Sequence, residues 1–190
     1  TGGVTNVIRQ QAGVLKDACD ILVLTGEPVQ GPFPAETVCL PEIAYDTVSS
    51  VKREPEQIAD AIFEVIEKKW PGGCDVLHIH NPTLAKNRHL LSVIKKLQKR
   101  NLNLFLQIHD FAEDGRATAY FREAYPADCH WGVINSRDYA ILLKSGLMAN
   151  GVHVISNLVT PIKVPKTRFR EKNRILYPVR AIRRKNIGEA

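Results

Sequence analysis

The chain has 190 residues, 44% of them apolar, and 26 Lys and Arg against 20 Asp and Glu, a net charge of +6. That length and apolar share suit one sizeable core and exclude a chain too polar to fold. No run of about 18 apolar residues exists, so no membrane-spanning helix is expected.

In chain order, Val4, Val7, Ile8, Gln11 and Leu15 keep a helical period after Gly2-Gly3. Asp20–Thr25 (DILVLT) is a buried-type strand, and Thr37–Ala44 a weaker one. Pro55 at a first turn leads a helix with Ile58, Ala61, Ile62, Val65 and Ile66 on one face, which Pro71-Gly72-Gly73 stops. Asp75–His80 (DVLHIH) is a strand. Asn81-Pro82 is expected to start a helix with Leu84, Leu91, Ile94 and Leu97 inward. Asn103–His109 (NLFLQIH) is a strand, Ala117–Tyr125 a helix and Trp131–Asn135 a strand. Ser136 caps a further helix that Gly146 ends, and Val152–Ser156 is a last strand. Short apolar runs alternating with amphipathic helices imply an α/β fold, a Rossmann-like parallel sheet with helices on both faces. Such a domain normally opens on a strand. This chain opens on a loop and helix, so the expectation is that a first strand is missing.

The charge is unevenly placed. Residues 161–190 hold ten Lys and Arg against two acidic residues, a net +8, whereas residues 1–160 hold 16 against 18, a net −2. The basic stretch carries Pro161 and Pro165 and has no helical period. A nucleic-acid-binding domain would spread its cations over a folded face with interleaved aromatics, so no nucleic-acid partner is expected. Residues 1–160 are read as a Rossmann-like domain, 161–172 as a basic interdomain linker and 173–190 as the start of a truncated second domain. In that last segment the strand Ile175–Val179 opens through Arg180 and Lys185 into a helical turn. Cations and free backbone N–H groups at one spot suit a diphosphate. Arg183 and Arg184 beside them read as surface charge. Cys19, Cys39, Cys74 and Cys129 are scattered without a C-x-x-C pattern. They read as reduced, mostly buried thiols in a cytoplasmic protein.

In open parallel sheets ligands bind beyond the C-terminal ends of the strands. The residues there are Gly2-Gly3, Thr25-Gly26-Glu27, His80-Asn81, His109-Asp110, Asn135-Ser136 and Asn157. His78 and His80 share a strand face by the period of two. No third ligand is evident, so packing is expected and metal binding is not.

Taken in order, these motifs resemble the N-terminal domain of the GT-B glycosyltransferases, in particular the retaining group called family 4. Thr1-Gly2-Gly3-Val4 is similar to the family's glycine-rich loop, and Asp75–Pro82 (DVLHIHNP) to its strand ending in His. Gln107-Ile108-His109-Asp110 resembles the His-Asp strand end, and Asn135-Ser136 the strand-to-helix turn. Val154–Asn157 resembles the segment before the crossover, and Arg180-x4-Lys185 the Arg and Lys that open the C-terminal domain. The resemblance implies transfer of a sugar from a nucleotide-sugar donor to a saccharide or lipid-linked acceptor, with no cofactor and no metal. It implies that His109 reaches the transferred sugar and that Asp110, which otherwise caps the next loop, binds acceptor. Gly2, Gly3, Arg180 and Lys185 would meet the donor phosphates, and His80, Asn81, Ser136 and Asn157 would line the acceptor side of the cleft. The family's acidic pair, Glu-x7-Glu, would lie past Ala190, so this half alone is expected to be inactive. Lys95, Lys96, Lys99 and Arg100 at one helix end would permit a weak peripheral contact with an anionic membrane, at its inner face. Two other readings stay open: a non-catalytic Rossmann-like binding or regulatory domain, and another GT-B enzyme such as an inverting transferase or a sugar epimerase.

Overall fold

All strand pairs in the computed structural model, which describes residues 2–48, 53–111 and 117–159, are parallel. The linker at 161–172, the segment 173–190 with Arg180 and Lys185, and Thr1 lie outside the described residues. The chain runs α1 (Gly3–Leu15), β1 (Leu22–Thr25), β2 (Glu36–Cys39), α2 (Pro55–Lys69), β3 (Leu77–His80), α3 (Leu90–Lys99), β4 (Leu104–Ile108), β5 (His130–Val133), α4 (Ser136–Lys144) and β6 (Val152–Val154). Short 3-10 turns occupy Pro41–Ile43, Ala117–Ala119 and Ala149–Gly151. The Rossmann-like α/β reading holds, but the strands form two sheets rather than one: β1-β2, and β3-β4-β5-β6 in sequence order. Among the described residues, β1 and β3 each pair on one edge only.

Strand order equal to chain order means that successive crossovers run the same way. The right-handed rule then puts α3 and α4 on one face of the larger sheet. That face is apolar. Leu104, Leu106 and Ile108 of β4, with Trp131 and Val133 of β5, pack against Ile58, Ala59, Ile62 and Ile66 of α2, Val93, Ile94 and Leu97 of α3, and Leu142 of α4. Ala59, Ile94, Leu106 and Val133 are fully buried. Pro55 opens α2, where the Glu54 backbone N–H donates to the Gln57 side chain, and Gly72 and Gly73 end it with φ of 103° and 95°. On the solvent side of this layer Lys96 and Arg100 of α3 pair with Glu56 of α2, and Arg100 also with Asp60. Two of the four cations that would permit a weak membrane contact are thus engaged within the fold.

The opposite face of the sheet is polar. The register sets His78 beside Phe105 and His80 beside Gln107, with His130, Gly132 and His153 further along the same rows. The Gln11 side-chain amide donates to Gln107 Oε1 at 3.1 Å, so α1 lies over this face and helices flank both sides. Gly132 makes room here: a Cβ would sit 2.7 Å from the Phe105 ring.

Several sequence expectations are corrected. The helix expected from Asn81-Pro82 begins only at Leu90. The intervening loop is held by its own partners: Asn87 donates to the carbonyls of Glu42 and Ala44, the Asp46 N–H to that of Lys86, and the Ala85 N–H to that of Ala119. The helix expected over Ala117–Tyr125 is a single 3-10 turn, because the Phe121 N–H donates to the Thr83 carbonyl and Tyr120 bridges Leu84. Asn135, not Ser136, caps α4; its side chain accepts from the Asp138 N–H, and Ser136 is the first helical residue. The cysteines are free but not buried: Cys19 sits in the turn after α1, Cys39 on the edge strand β2, and Cys74 and Cys129 are half-buried.

Gly26 follows β1 where the chain passes against Ala44; a Cβ would lie 2.3 Å from the Ala44 Cα and 2.5 Å from its nitrogen. Backbone cannot yield as a flexible side chain does. Gly26→Ala should therefore lower stability by about 1–3 kcal/mol in urea unfolding. Gly3→Ala, where a Cβ meets nothing within 4 Å, should cost nothing.

Candidate functional site

The C-terminal ends of β3 and β4 converge on His109. Asn81, the residue after β3, holds a left-handed backbone (φ 51°) although it is not glycine. That conformation is costly for a side-chain-bearing residue, least so for Asn. Two bonds hold it: the Asn81 N–H donates to the Gln107 carbonyl at 2.7 Å, and Asn81 Oδ1 accepts from the His109 N–H at 2.8 Å. One residue earlier, His80 Nδ1 lies 2.9 Å from His109 Nε2, with the rings nearly parallel and 5.2 Å apart. The last residue of β3 and the one after it therefore grip the ring and the backbone of His109.

A second tier lies behind this pair. The His78 ring stacks on His80 at 4.2 Å, meets Phe105 edge-on at 4.8 Å, and places Nε2 3.0 Å from Gln107 Oε1. With Gln107 Oε1 accepting from both Gln11 and His78, His78 carries its proton on Nε2. Gln107 is fully buried, and its Nε2 has no partner among the described residues.

These surroundings keep the imidazoles neutral. Burial depresses His80 far below the usual histidine value, and the neighbouring His78 and His109 rings add to the depression. Burial also lowers His78, to about 4, against a partly compensating bond to Gln107. His78 keeps an exposed flank, so His80 is the ring whose neutrality burial enforces more firmly. His109 is lowered by burial as well, and the Asp110 carboxylate opposes the shift.

Of the residues singled out from the sequence, the fold brings His80, Asn81 and His109 into direct contact, with Asp110 next in the chain. Gly2 caps α1 and Gly3 opens it, with no side-chain bond at the cap and nothing within 4 Å of a Cβ added at either. Ser136 starts α4 after β5. Asn157, exposed, follows β6. Among the described residues neither bonds to the histidine group. Arg180 and Lys185 lie outside the described residues. Among the described residues no three His, Cys, Asp or Glu side chains are grouped to hold a metal ion. The sequence reading placed Gln11 in a helical period and Gln107 in a strand-end motif but gave neither a part in the site. The available signal was an amide inside the apolar run Leu104–Ile108, a residue that must find partners once buried.

The fold is thus a Rossmann-like α/β domain whose chemistry-bearing side chains sit at the C-terminal strand ends. The chain is similar, at 28% identity along its whole length, to mannosylglucosyl-3-phosphoglycerate synthase of Petrotoga mobilis, a glycosyltransferase. It spans about half of that relative, 45% of its length. No protein-family model matches the chain, and no solved structure matches it. Among the described residues no helix is long and apolar enough to cross a membrane.

The depressed histidines carry a pH signature. Their folded values lie below the ordinary 6.5, so the unfolded chain takes up protons that the fold refuses. This stability should be complete above pH 6.5 and should fall as pH drops from there toward about 4, where His78 charges. Urea unfolding followed across that window should show the decline, with a shallower slope in His80→Phe. Equal slopes would mean that the His80 ring is not held neutral.

Proposed function

We propose that this chain is the acceptor-side half of a retaining glycosyltransferase of GT-B architecture, moving a sugar from a nucleotide-sugar donor to a saccharide or lipid-linked acceptor. The observation that carries the reading is the neutral pair of His80 and His109, clamped at the strand ends where a parallel sheet receives its ligands. The similarity to a glycosyltransferase supports it, as does the order of the motifs along the chain.

In this mechanism the bond from the sugar's anomeric carbon to the diphosphate oxygen breaks, a bond to the acceptor oxygen forms on the same face, and the acceptor's hydroxyl proton passes to the departing diphosphate oxygen. Positive charge builds on the sugar and negative charge on the departing phosphate. His109 would contact the sugar. A neutral ring there donates or accepts a hydrogen bond without opposing the growing positive charge. Asp110 would meet the acceptor, with His80, Asn81, Ser136 and Asn157 along the acceptor side. The N-terminus of α1 behind Gly2-Gly3 would approach the phosphates, and Arg180 and Lys185 would hold the leaving diphosphate. No metal or cofactor is assigned a part.

In the full-length enzyme, Arg180→Ala and Lys185→Ala should each lower turnover on the order of 100-fold, the usual cost of removing a donor to transition-state charge. Arg183→Ala and Arg184→Ala should change little. Near-normal turnover in the first pair, or equal losses in all four, would remove the reason for placing the phosphate there. The same reading allows the basic end of α3 a weak, salt-sensitive contact with anionic vesicles. Equal sedimentation with neutral and anionic liposomes at low salt would sink that part alone.

A further inference from the structure

We propose that His80 is a positioning residue for His109: it occupies the Nε2 of His109 and fixes that ring in one tautomer, leaving Nδ1 as the nitrogen that meets a ligand. The inference rests on the proposed transfer only for what the ligand is. The positioning itself follows from the geometry.

Two neutral imidazoles joined Nδ1 to Nε2 at 2.9 Å share one proton, one ring donating and the other accepting. A solvated histidine exchanges between tautomers because water satisfies either nitrogen. Here water is displaced by the second ring, and His80 is in turn immobilised by its stack on His78. His78 cannot relax either, since its Nε2 is tied to Gln107, whose carbonyl oxygen also serves Gln11 of α1. The backbone of His109 is fixed independently by Asn81. With both halves held by His80 and Asn81, the His109 ring can turn away only by breaking the bond to His80. The titratable groups acting on the pair are His78, stacked on His80, and the Asp110 carboxylate beside His109. Depressed values on both rings agree with a pair that stays uncharged near neutrality.

The arrangement has a chemical consequence. A sugar hydroxyl is both donor and acceptor, so an imidazole with an averaged proton binds it in either sense. An imidazole in one tautomer binds it in one sense only, which fixes the hydroxyl's direction and with it the sugar's orientation. Loss of His80 would therefore harm geometry more than contact.

The test needs no substrate, so it can fail or succeed whatever becomes of the transfer reading. Long-range proton–nitrogen spectra of the histidine-labelled 190-residue chain report the protonation of each ring nitrogen. In the wild type, His109 should show one protonated and one bare nitrogen, with His80 complementary across their shared bond. In His80→Phe the two His109 nitrogens should move toward a common averaged shift, while His130 and His153, paired with each other at 2.9 Å, stay unchanged. His80→Asn, which keeps a polar atom near the lost Nδ1, should restore a single tautomer at least in part. Averaged nitrogens at His109 in the wild type would overturn the proposal, and so would a single tautomer that persists in His80→Phe. Should the Phe variant fail to fold, His80→Ala, which also removes the ring nitrogen, is read in its place by the same two outcomes.

Discussion

The alternation of β4 is the constraint on which the rest of the domain depends. Leu104, Leu106 and Ile108 turn one way into a dry layer built with α2, α3 and α4, and Phe105, Gln107 and His109 turn the other. A one-residue slip would carry a fully buried amide into the leucine and isoleucine layer and expose Leu106. Leaving such an amide without partners costs about 1–3 kcal/mol on mutational scales, so Gln107 is a register marker as well as a link. It is also why α1 lies where it does: Gln11 reaches the same carbonyl oxygen that His78 uses. The polar face is therefore no leftover of the core but a second layer with its own bonding, and His109 stands at its edge.

That layer keeps ionisable groups uncharged by crowding them together. Three imidazoles within two ring-to-ring steps, 4.2 and 5.2 Å, cannot all carry charge, and burial removes the water that would screen them. The outcome is unusual only in its chemistry: rings that ordinarily titrate near neutrality become fixed hydrogen-bonding groups. Asn81 is the matching backbone device. Its left-handed turn is a local cost that its bonds to Gln107 and His109 offset.

The sequence made the strands of the larger sheet legible because β3, β4 and β5 are short apolar runs bounded by polar residues and turns. It also made α2 legible, through Pro55 and the paired glycines Gly72 and Gly73. The two misplaced helices share one cause. Leu84 and Tyr120 satisfied a helical pattern, but they face each other across a loop-to-loop bridge, and a pairing distant in sequence leaves no local period. Ser136 looked like a cap because Ser caps well, yet Asn135 one residue earlier both accepts from the Asp138 N–H and donates to the Asp138 carboxylate. Of the site, His80, Asn81 and His109 were legible as polar residues closing strands. That His80 and His109 touch was not, since it depends on the register between β3 and β4, which sequence spacing does not encode. The Gln11–Gln107–His78 tier went unread for the same reason, being assembled from three separate elements.

Charge along the chain divides in a way that fits the proposed transfer. Residues 1–160 are nearly balanced, at a net −2, while residues 161–190 carry a net +8. Within the described residues, Lys96 and Arg100 are spent on Glu56 and Asp60 in holding α2 to α3, away from the polar face. The polar groups bonded to one another around His109 are thus imidazoles and amides. A group that must tolerate positive charge on a sugar is best built from uncharged dipoles with fixed directions, because a nearby cation would raise the barrier it is meant to lower. A group that must receive a departing diphosphate needs the opposite, concentrated positive charge. On the proposed transfer, placing the two in separate stretches of chain would let each be tuned without disturbing the other, and the clamp on His109 would give the uncharged dipoles the direction they require.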